Sequence, residues 1–472
     1  MAPFKVIIIG CGLAGGLLGN GLLHNGVDFV IYESDQPSAK RDGYQIRLGA
    51  HAVRGFKACL TEEQQNALFK MFGRSGGVLP SAPILYDTQF QPLLDLTKFP
   101  AYTKSAPINR VVLRDYLQEK LVAAGRVHFG KSFTGYEVVE GDGASRIKVM
   151  FADGTADECN LLVSAEGSRS RINRQIGLDN IVQMKKRWGF LAKGSLPMSK
   201  LLALGPEMRK APVACIKDGM ILFCSAYLPK GANNDKVSPV AKTAIGDESN
   251  ENENEADFDE EMSSLFWSLL IPAEKCPENP LALEDKIGFC ITTVKDWDPR
   301  FEKMLRAIDN DDVYVFQPRA STNPGANWRS KTKASHKDDS SKGHDQVWLM
   351  GDAIHPMLPA RGMGANQAMS DTADMLPQIQ ALHEAAKAKD APLDAQDYSK
   401  AVQGYESKMI PRAFHWVNMS GGTNESMREP SSLLGKLMLF FVARMLTVAY
   451  LVGQIKSALG FKIQDDVPEL PD

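Results

Sequence analysis

The stretch Phe4-Lys5-Val6-Ile7-Ile8-Ile9-Gly10-Cys11-Gly12-Leu13-Ala14-Gly15 decides the fold. Its first half is a continuous apolar run rich in β-branched residues, as expected of a strand buried on both faces of a parallel sheet. Its second half is a G-x-G-x-x-G. An apolar helical stretch from Leu17 to Leu23 follows, then a strand-like run from Asp28 to Tyr32 that ends in Glu33. Strand, glycine loop, helix, strand and acid in this order make a dinucleotide-binding βαβ unit. Gly10 makes the tight turn, Gly12 lets backbone approach a pyrophosphate, and Gly15 lets helix pack on strand. The phosphates belong on the helix N-terminus, where free N–H groups and the dipole favour anions. Glu33 is placed to take the ribose hydroxyls. Its charge would repel a 2′-phosphate, so this site suits FAD or NAD better than NADP.

The rest of the chain is read against that unit. A length of 472 residues implies two or three domains. With 44% hydrophobic and 24% charged residues the composition is that of an ordinary soluble globular protein. The net charge of −3 gives no support for a nucleic-acid partner. Seven cysteines are scattered without a C-x-x-C or clustered histidines, so neither structural zinc nor a disulfide framework is expected, and no metal site. The first strand begins within four residues of Met1, so no signal peptide is expected and the location expected is cytoplasmic.

Downstream, Tyr44-Gln45-Ile46-Arg47-Leu48-Gly49 reads as a loop or short strand returning near the nucleotide. Residues 60–74 read as an amphipathic helix, and 78–104 as a proline-dotted, strand-like part of a second layer. Asn109 to Ala124 has the helical period, with Arg110 in the first turn, where a cation is disfavoured unless an anion is near. Residues 127–163 read as strand pairs, with turns at Gly141-Asp142-Gly143 and Asp153-Gly154. They end at a second anion-friendly junction, Ser164-Ala165-Glu166-Gly167-Ser168-Arg169. Between 185 and 300, strands are predicted around Trp188–Ala192, Val213–Lys217, Met220–Tyr227, Leu265–Ile271 and Ile287–Thr293. Asp247 to Glu261 carries nine carboxylates and no base and reads as a disordered surface loop. Arg329 to Asp345 reads as another exposed loop, after a helix over Phe301–Ile308.

The run Gln346 to Met350 is a further strand. It enters Gly351-Asp352-Ala353-Ile354-His355-Pro356-Met357-Leu358-Pro359-Ala360-Arg361-Gly362-Met363-Gly364-Ala365-Asn366, with a helix predicted from Ala368 to Leu382. Asp352 can accept from ribitol hydroxyls, and the backbone at Gly364-Ala365 can face a flavin edge, where a helix dipole favours negative charge. His355, beside Pro356, reads as a structural histidine of the turn.

With these residues in view, the chain resembles the single-component flavin-dependent aromatic hydroxylases and monooxygenases, the family of p-hydroxybenzoate and salicylate hydroxylases, over residues 4 to about 420. Gly10, Gly12, Gly15 and Glu33 form the first motif. Glu166 and Gly167 with Arg174 stand at the second, where the family carries Asp instead of Glu166. The third is matched from Gly351 to Asn366, including Asp352, Pro359, Gly362, Gly364, Ala365 and Asn366. Arg110 with Leu113 and Leu117, and Arg47 in R-x-G context, match arginines that approach FAD.

The resemblance implies an α/β fold: a Rossmann-like FAD-binding domain with an inserted mixed-sheet substrate domain and a helical C-terminus. The FAD-binding domain would comprise 1–75, 105–180 and 300–400, the substrate domain 76–104 and 181–299, and the helical region 401–472. It further implies bound FAD, transient NADPH or NADH, and O2 consumed through a flavin hydroperoxide. The substrate would be a bulky aromatic or polycyclic natural-product intermediate, hydroxylated or epoxidised by a fungal tailoring enzyme. No catalytic base stands out; Arg187 and Tyr227 in the substrate sheet are the two weak candidates. A flavin-dependent halogenase is an alternative, since Trp267 to Pro272 partly matches W-x-W-x-I-P, but Leu269 replaces the second Trp. A non-catalytic flavin-binding protein is another, resting on Glu166 alone.

Finally, Ser432 to Leu459 is helical in character, with Lys436, Arg444 and Lys456 as its only charges. No apolar run in it reaches the ~20 residues of a membrane span. On a helical wheel Lys436, Arg444, Thr447 and Gln454 share one side. Such a helix either makes peripheral membrane contact through 432–459 or packs on its own protein or a partner copy.

Overall fold

The structure, a computed structural model, describes residues 4–37, 45–72, 83–98, 105–140, 145–227, 262–309, 312–388, 392–423 and 432–458. The acidic stretch 247–261 and the turn 141–143 lie outside the described residues, as do the ends of the strand-like stretch, 78–82 and 99–104.

The chain opens with β1 (Lys5–Ile9), α1 (Leu13–His24), β2 (Asp28–Tyr32), β3 (Gln45–Gly49), α2 (Ala50–Cys59) and α3 (Glu62–Lys70). Next come β4 (Ile84–Tyr86), β5 (Pro92–Asp95), β6 (Ser105–Asn109), α4 (Arg110–Ala123) and β7 (Val127–His128). β8 (Phe133–Glu140), β9 (Ser145–Phe151), β10 (Ala156–Cys159), β11 (Leu161–Ser164) and α5 (Arg171–Gln175) follow. The middle of the chain gives β12 (Ile181–Gln183), β13 (Arg187–Pro197), α6 (Met198–Ala203), β14 (Val213–Lys217), β15 (Met220–Tyr227) and β16 (Met262–Pro272). Then come α7 (Lys286–Thr293), α8 (Pro299–Leu305), β17 (Val313–Phe316), β18 (Arg319–Ser321), α9 (Trp328–Ser335) and β19 (Val347–Leu349). Three long helices finish it: α10 (Gly364–Ala388), α11 (Ala395–Met419) and α12 (Leu433–Ala458).

Five strands form one sheet in the order β19-β11-β1-β2-β7, and every neighbouring pair is parallel. This is the Rossmann-like layer. Val6, Ile7 and Ile8 at its centre are wholly buried, which is why β1 is apolar without alternation. Because the strands are parallel, the loops after β1, β11 and β19 leave the same edge, where open α/β sheets bind ligands. The second large sheet is mixed, in the order β17-β13-β16-β15-β14-β4-β5. Here β4 and β5 join strands that follow them by more than a hundred residues, the second layer expected from 78–104.

Two hydrophobic cores go with the two sheets. The first runs from Phe4 to Ile176 and from Trp328 to Val417, and includes Tyr405, Met409 and Phe414 of α11. The second contains Tyr86, Phe190 and Trp267, and extends to Phe301, Leu305 and Val313. The second core thus reaches past residue 300, and α11 of the helical region 401–472 serves the first.

Two expectations are corrected, and one helix is added. Ile287–Thr293 is helix α7, not a strand. Asp285 accepts from Gly288 N at 2.7 Å to cap it, and Ile287, Cys290 and Val294 are buried at helical spacing. Its β-branched residues suggested a strand, and the cap and the burial period override that propensity. Arg329–Asp345 is no exposed loop throughout. Trp328 and Arg329 on α9 are buried, and Arg329 pairs with Glu406 at 2.8 Å and donates to Val347 O. Tyr136 reaches Ser341 O and Lys342 reaches Gln175 O. Helix α2 was not read from sequence. It lies against α10 so closely that a Cβ on Gly55 would sit 2.2 Å from Met369 O.

Candidate cofactor site

The glycine loop after β1 divides its three glycines by what faces them. Gly10 has φ +101°, and a Cβ there would lie 2.5 Å from Ala165 O. A Cβ on Gly15 would lie 2.0 Å from Gly10 O. Both glycines are therefore required by the protein's own close approach. A Cβ on Gly12 would meet nothing within 4 Å. It faces open space in front of α1, whose N-terminus has no side-chain cap. That is the space an anion takes at a helix N-terminus. Glu33 closes the loop from β2, accepting from Cys11 N at 2.8 Å and Asp35 N at 3.0 Å.

The loop after β19 is built differently. Gly351 has φ +58° and lies beside the first loop, its would-be Cβ 3.8 Å from Ala14 Cβ. Beneath it is a buried charge cluster. Asp371 Oδ2 accepts from Gly351 N and lies 2.7 Å from His355 Nε2. Arg412 donates to Asp371 at 2.7 Å and Asp374 at 3.0 Å, and Arg54 also pairs with Asp374. Burial alone would raise the Asp371 carboxyl. His355 and Arg412, with the Gly351 N–H, outweigh it and hold it below the usual carboxylate range. His355 is thus a structural histidine of the turn. From the other side Asn173 donates to Ala353 O at 2.8 Å and Asn180 to Ile354 O at 2.9 Å. Ser321 donates to Pro356 O. None of these supports was read from sequence. The one available signal was ionisable residues on the apolar faces of α10 and α11.

Asp352 lies beside that cluster, within the field of His355 and Asp371. Its side chain is reached by solvent, yet the protein around it raises its carboxyl above the usual value, against the opposing charges of His355 and Arg110. Arg110, in the first turn of α4, is brought near it, while Asn109 caps that helix through Val111 N. Pro359 begins a short 3-10 turn that ends at Gly362, left-handed at φ +62° with open space where a Cβ would go. Gly364 starts α10, its would-be Cβ 4.0 Å from Asp352 Oδ1, and Ala365 follows in the same turn.

Arg47 is half-buried on β3 and donates to Ser105 O at 3.0 Å; burial lowers its pKa to about 10. Asn366 uses its amide on β3, accepting from Gly49 N at 2.8 Å and donating to Arg47 O at 2.9 Å. Its side chain therefore fixes the strand that carries Arg47. Glu166 turns inward too. It accepts from Ser164 and Ser170 hydroxyls and from Arg171 and Ile172 N–H groups, capping α5. Gly167, φ +75°, follows with open space beside it. Arg187 is buried and donates to Gly219 O at 3.0 Å, in the turn joining β14 to β15. Tyr227 ends β15, and its side chain lies outside the described residues. Among the described residues no group of His, Cys, Asp and Glu side chains converges as a metal site would.

Residues 294–402, which include the whole loop after β19, match the family described as FAD binding domain. That part of the chain is similar to this family. The cradle fits that cofactor: open space before the uncapped α1 for a pyrophosphate, and the Asp352 carboxylate beside the start of α10 for polyol hydroxyls. The chain is 22% identical to the dual O-methyltransferase/FAD-dependent monooxygenase elcB of Phaeosphaeria nodorum, over 88% of this chain and 45% of that protein. It thus spans less than half of that relative. It is 25% identical to the FAD-dependent monooxygenase spyC of Aspergillus fumigatus, over 82% of this chain and 71% of that one. The fold is shared with a putative FAD-containing monooxygenase from Photorhabdus luminescens. There the TM-score is 0.65 at 22% identity, over 88% of this chain and 96% of that one. It is shared too with Klebsiella pneumoniae HpxO complexed with FAD and uric acid, at TM-score 0.59 and 17% identity, over 88% and 87%.

Proposed function

We propose that this protein is an FAD-dependent monooxygenase that uses NADPH or NADH and O2 to oxygenate a bulky aromatic or polycyclic natural-product intermediate. The observation that carries the reading is the placement of two different cofactor loops at one edge of one parallel sheet. The relatives supply the rest: proteins named FAD-dependent monooxygenases from several fungi, and a 6-hydroxynicotinate 3-monooxygenase from Pseudomonas fluorescens.

In this reading Gly10, Gly12 and Gly15 with Glu33 hold the ADP half of FAD, the glutamate through a ribose. Asp352, Gly362, Gly364 and Ala365 hold the flavin half, with Pro359 shaping the turn and Arg47 and Arg110 supplying positive charge. FAD supplies the redox chemistry that joins a nicotinamide electron donor to O2. The protein orients the substrate ring, excludes water, and sets the α10 N-terminus against negative charge. Glu166 and Asn366 are positioning residues through α5 and β3. The second, apolar core and its seven-stranded sheet are the substrate side. The halogenase alternative loses its footing, because Trp267 is fully buried inside β16.

The test is direct. Purified protein should be yellow, or take up FAD on addition, and its oxidation of NADPH or NADH should accelerate with one class of aromatic compound. A protein that binds no FAD, or binds it and oxidises neither nucleotide with any aromatic class, overturns the proposal.

A further inference from the structure

A helix on the surface of a globular protein normally turns its apolar stripe inward and its polar face to water. Helix α12 does the reverse. The side towards the protein, where it lies beside β5, carries Gly435, Leu439, Ala443 and Leu446, which are buried or half-buried. The opposite side carries Leu437, Phe441, Met445, Val448, Leu451 and Ile455, each more than half exposed. At 26 residues the helix is about 39 Å long, so this is a continuous apolar face, beyond what a monomeric soluble protein leaves uncovered. Among the described residues no helix is long and apolar enough to cross a membrane.

Charge decides what covers it. The helix contains Lys436, Arg444 and Lys456, and no Asp or Glu occurs between Glu429 and Asp465. Arg444 is exposed within the apolar face, one turn from Phe441 and Val448, its guanidinium carbon 5.1 Å from the Phe440 ring centroid. A second copy docked on the same face would bring cations against cations with no carboxylate of the helix to meet them, since a two-fold contact pairs the same patch with itself. An anionic lipid surface meets both properties at once. Acyl chains take the apolar face, headgroup phosphates and carboxylates take the cations, and Arg444 reaches outward along its own stem. We propose that α12 lies in the plane of an anionic lipid surface and holds the protein there.

The test uses the full-length protein, sedimented with phosphatidylcholine vesicles and with phosphatidylcholine–phosphatidylserine vesicles at physiological ionic strength. The expected result is binding to both, several-fold stronger to the mixed vesicles. Joint substitution Leu437→Gln, Phe441→Gln, Met445→Gln and Val448→Gln should weaken binding by at least about tenfold. Arg444→Glu should weaken binding to the mixed vesicles by about tenfold and leave phosphatidylcholine binding nearly unchanged. These positions face outward, and an unchanged far-UV circular dichroism spectrum confirms that the variants fold. If the joint variant does not fold, Arg444→Glu alone decides. Wild-type protein that stays in the supernatant with both vesicles overturns the proposal. So does a dimer, seen by light scattering, that the outward-face substitutions dissolve, because the occupant is then a second copy.

Discussion

The two cofactor loops lie side by side and are made by opposite means. The loop after β1 is held by backbone: Gly10 and Gly15 allow contacts that any Cβ would block, and a single acid, Glu33, ties the loop to β2. The loop after β19 is held by side chains from elsewhere: Asp371 and Arg412 from below, Asn173 and Asn180 from beside. The first loop is tied by backbone contacts, most of them within its own thirty residues and one to Ala165. The second depends on α5, α10 and α11 being assembled. The first should therefore respond to changes in shape, and the second to changes in charge.

The largest effect should follow removal of the charge at the centre of the second loop. Asp371→Asn leaves Arg412 and His355 without their shared buried partner and should cost about 4 kcal/mol in denaturant unfolding. A loss below about 1 kcal/mol would erase the contrast between the loops. Asp371 also makes stability depend on pH. Its folded pKa is depressed, so its contribution is complete above the unfolded value near 4 and is lost as pH falls through that value towards the lower folded one. The wild type should therefore lose stability below about pH 4 more steeply than the variant.

Shape comes next. Gly15→Ala places a Cβ 2.0 Å from Gly10 O and should cost about 2–3 kcal/mol of stability, along with FAD binding. Gly12→Ala meets no protein atom. It should leave the unfolding midpoint unchanged and weaken FAD about tenfold, or about 1.4 kcal/mol. Equal stability losses in the two variants would show that the glycines are not divided as described. The smallest effect belongs to the junction after β11. Glu166→Gln removes a charged cap from α5 and should cost about 1 kcal/mol, read by thermal unfolding, with FAD affinity nearly preserved.

The comparison also explains what the sequence made legible. Val6 to Gly15 and Asp28 to Glu33 carry their structure in neighbouring residues, so the strand, turn, helix and acid could be read in order. The loop from Gly351 to Asn366 could be recognised, but not what supports it. Arg412 meets Asp371 across forty-one residues, and Asn173 meets Ala353 across 180; no local pattern encodes such a meeting. The same limit produced the misreading of 329–345, where Arg329 looks like a solvated cation until Glu406 arrives from α11. At 287–293, β-branched side chains suggested a strand, and the Asp285 cap, two residues outside the window, decided for helix. The inward turns of Glu166 and Asn366 were also out of reach, because motif spacing says where a residue stands and not which way it faces.

The most direct test of the account separates the halves of FAD. In equilibrium titrations of the apoprotein, FAD and ADP would each be measured against wild type, Glu33→Ala and Asp352→Ala. The account predicts that Glu33→Ala weakens FAD and ADP by the same factor, on the order of tenfold. Asp352→Ala should weaken FAD by a similar factor and leave ADP unchanged. An Asp352→Ala protein that loses ADP as well, or a Glu33→Ala protein that keeps full affinity for both, would contradict the division of the cofactor between the two loops.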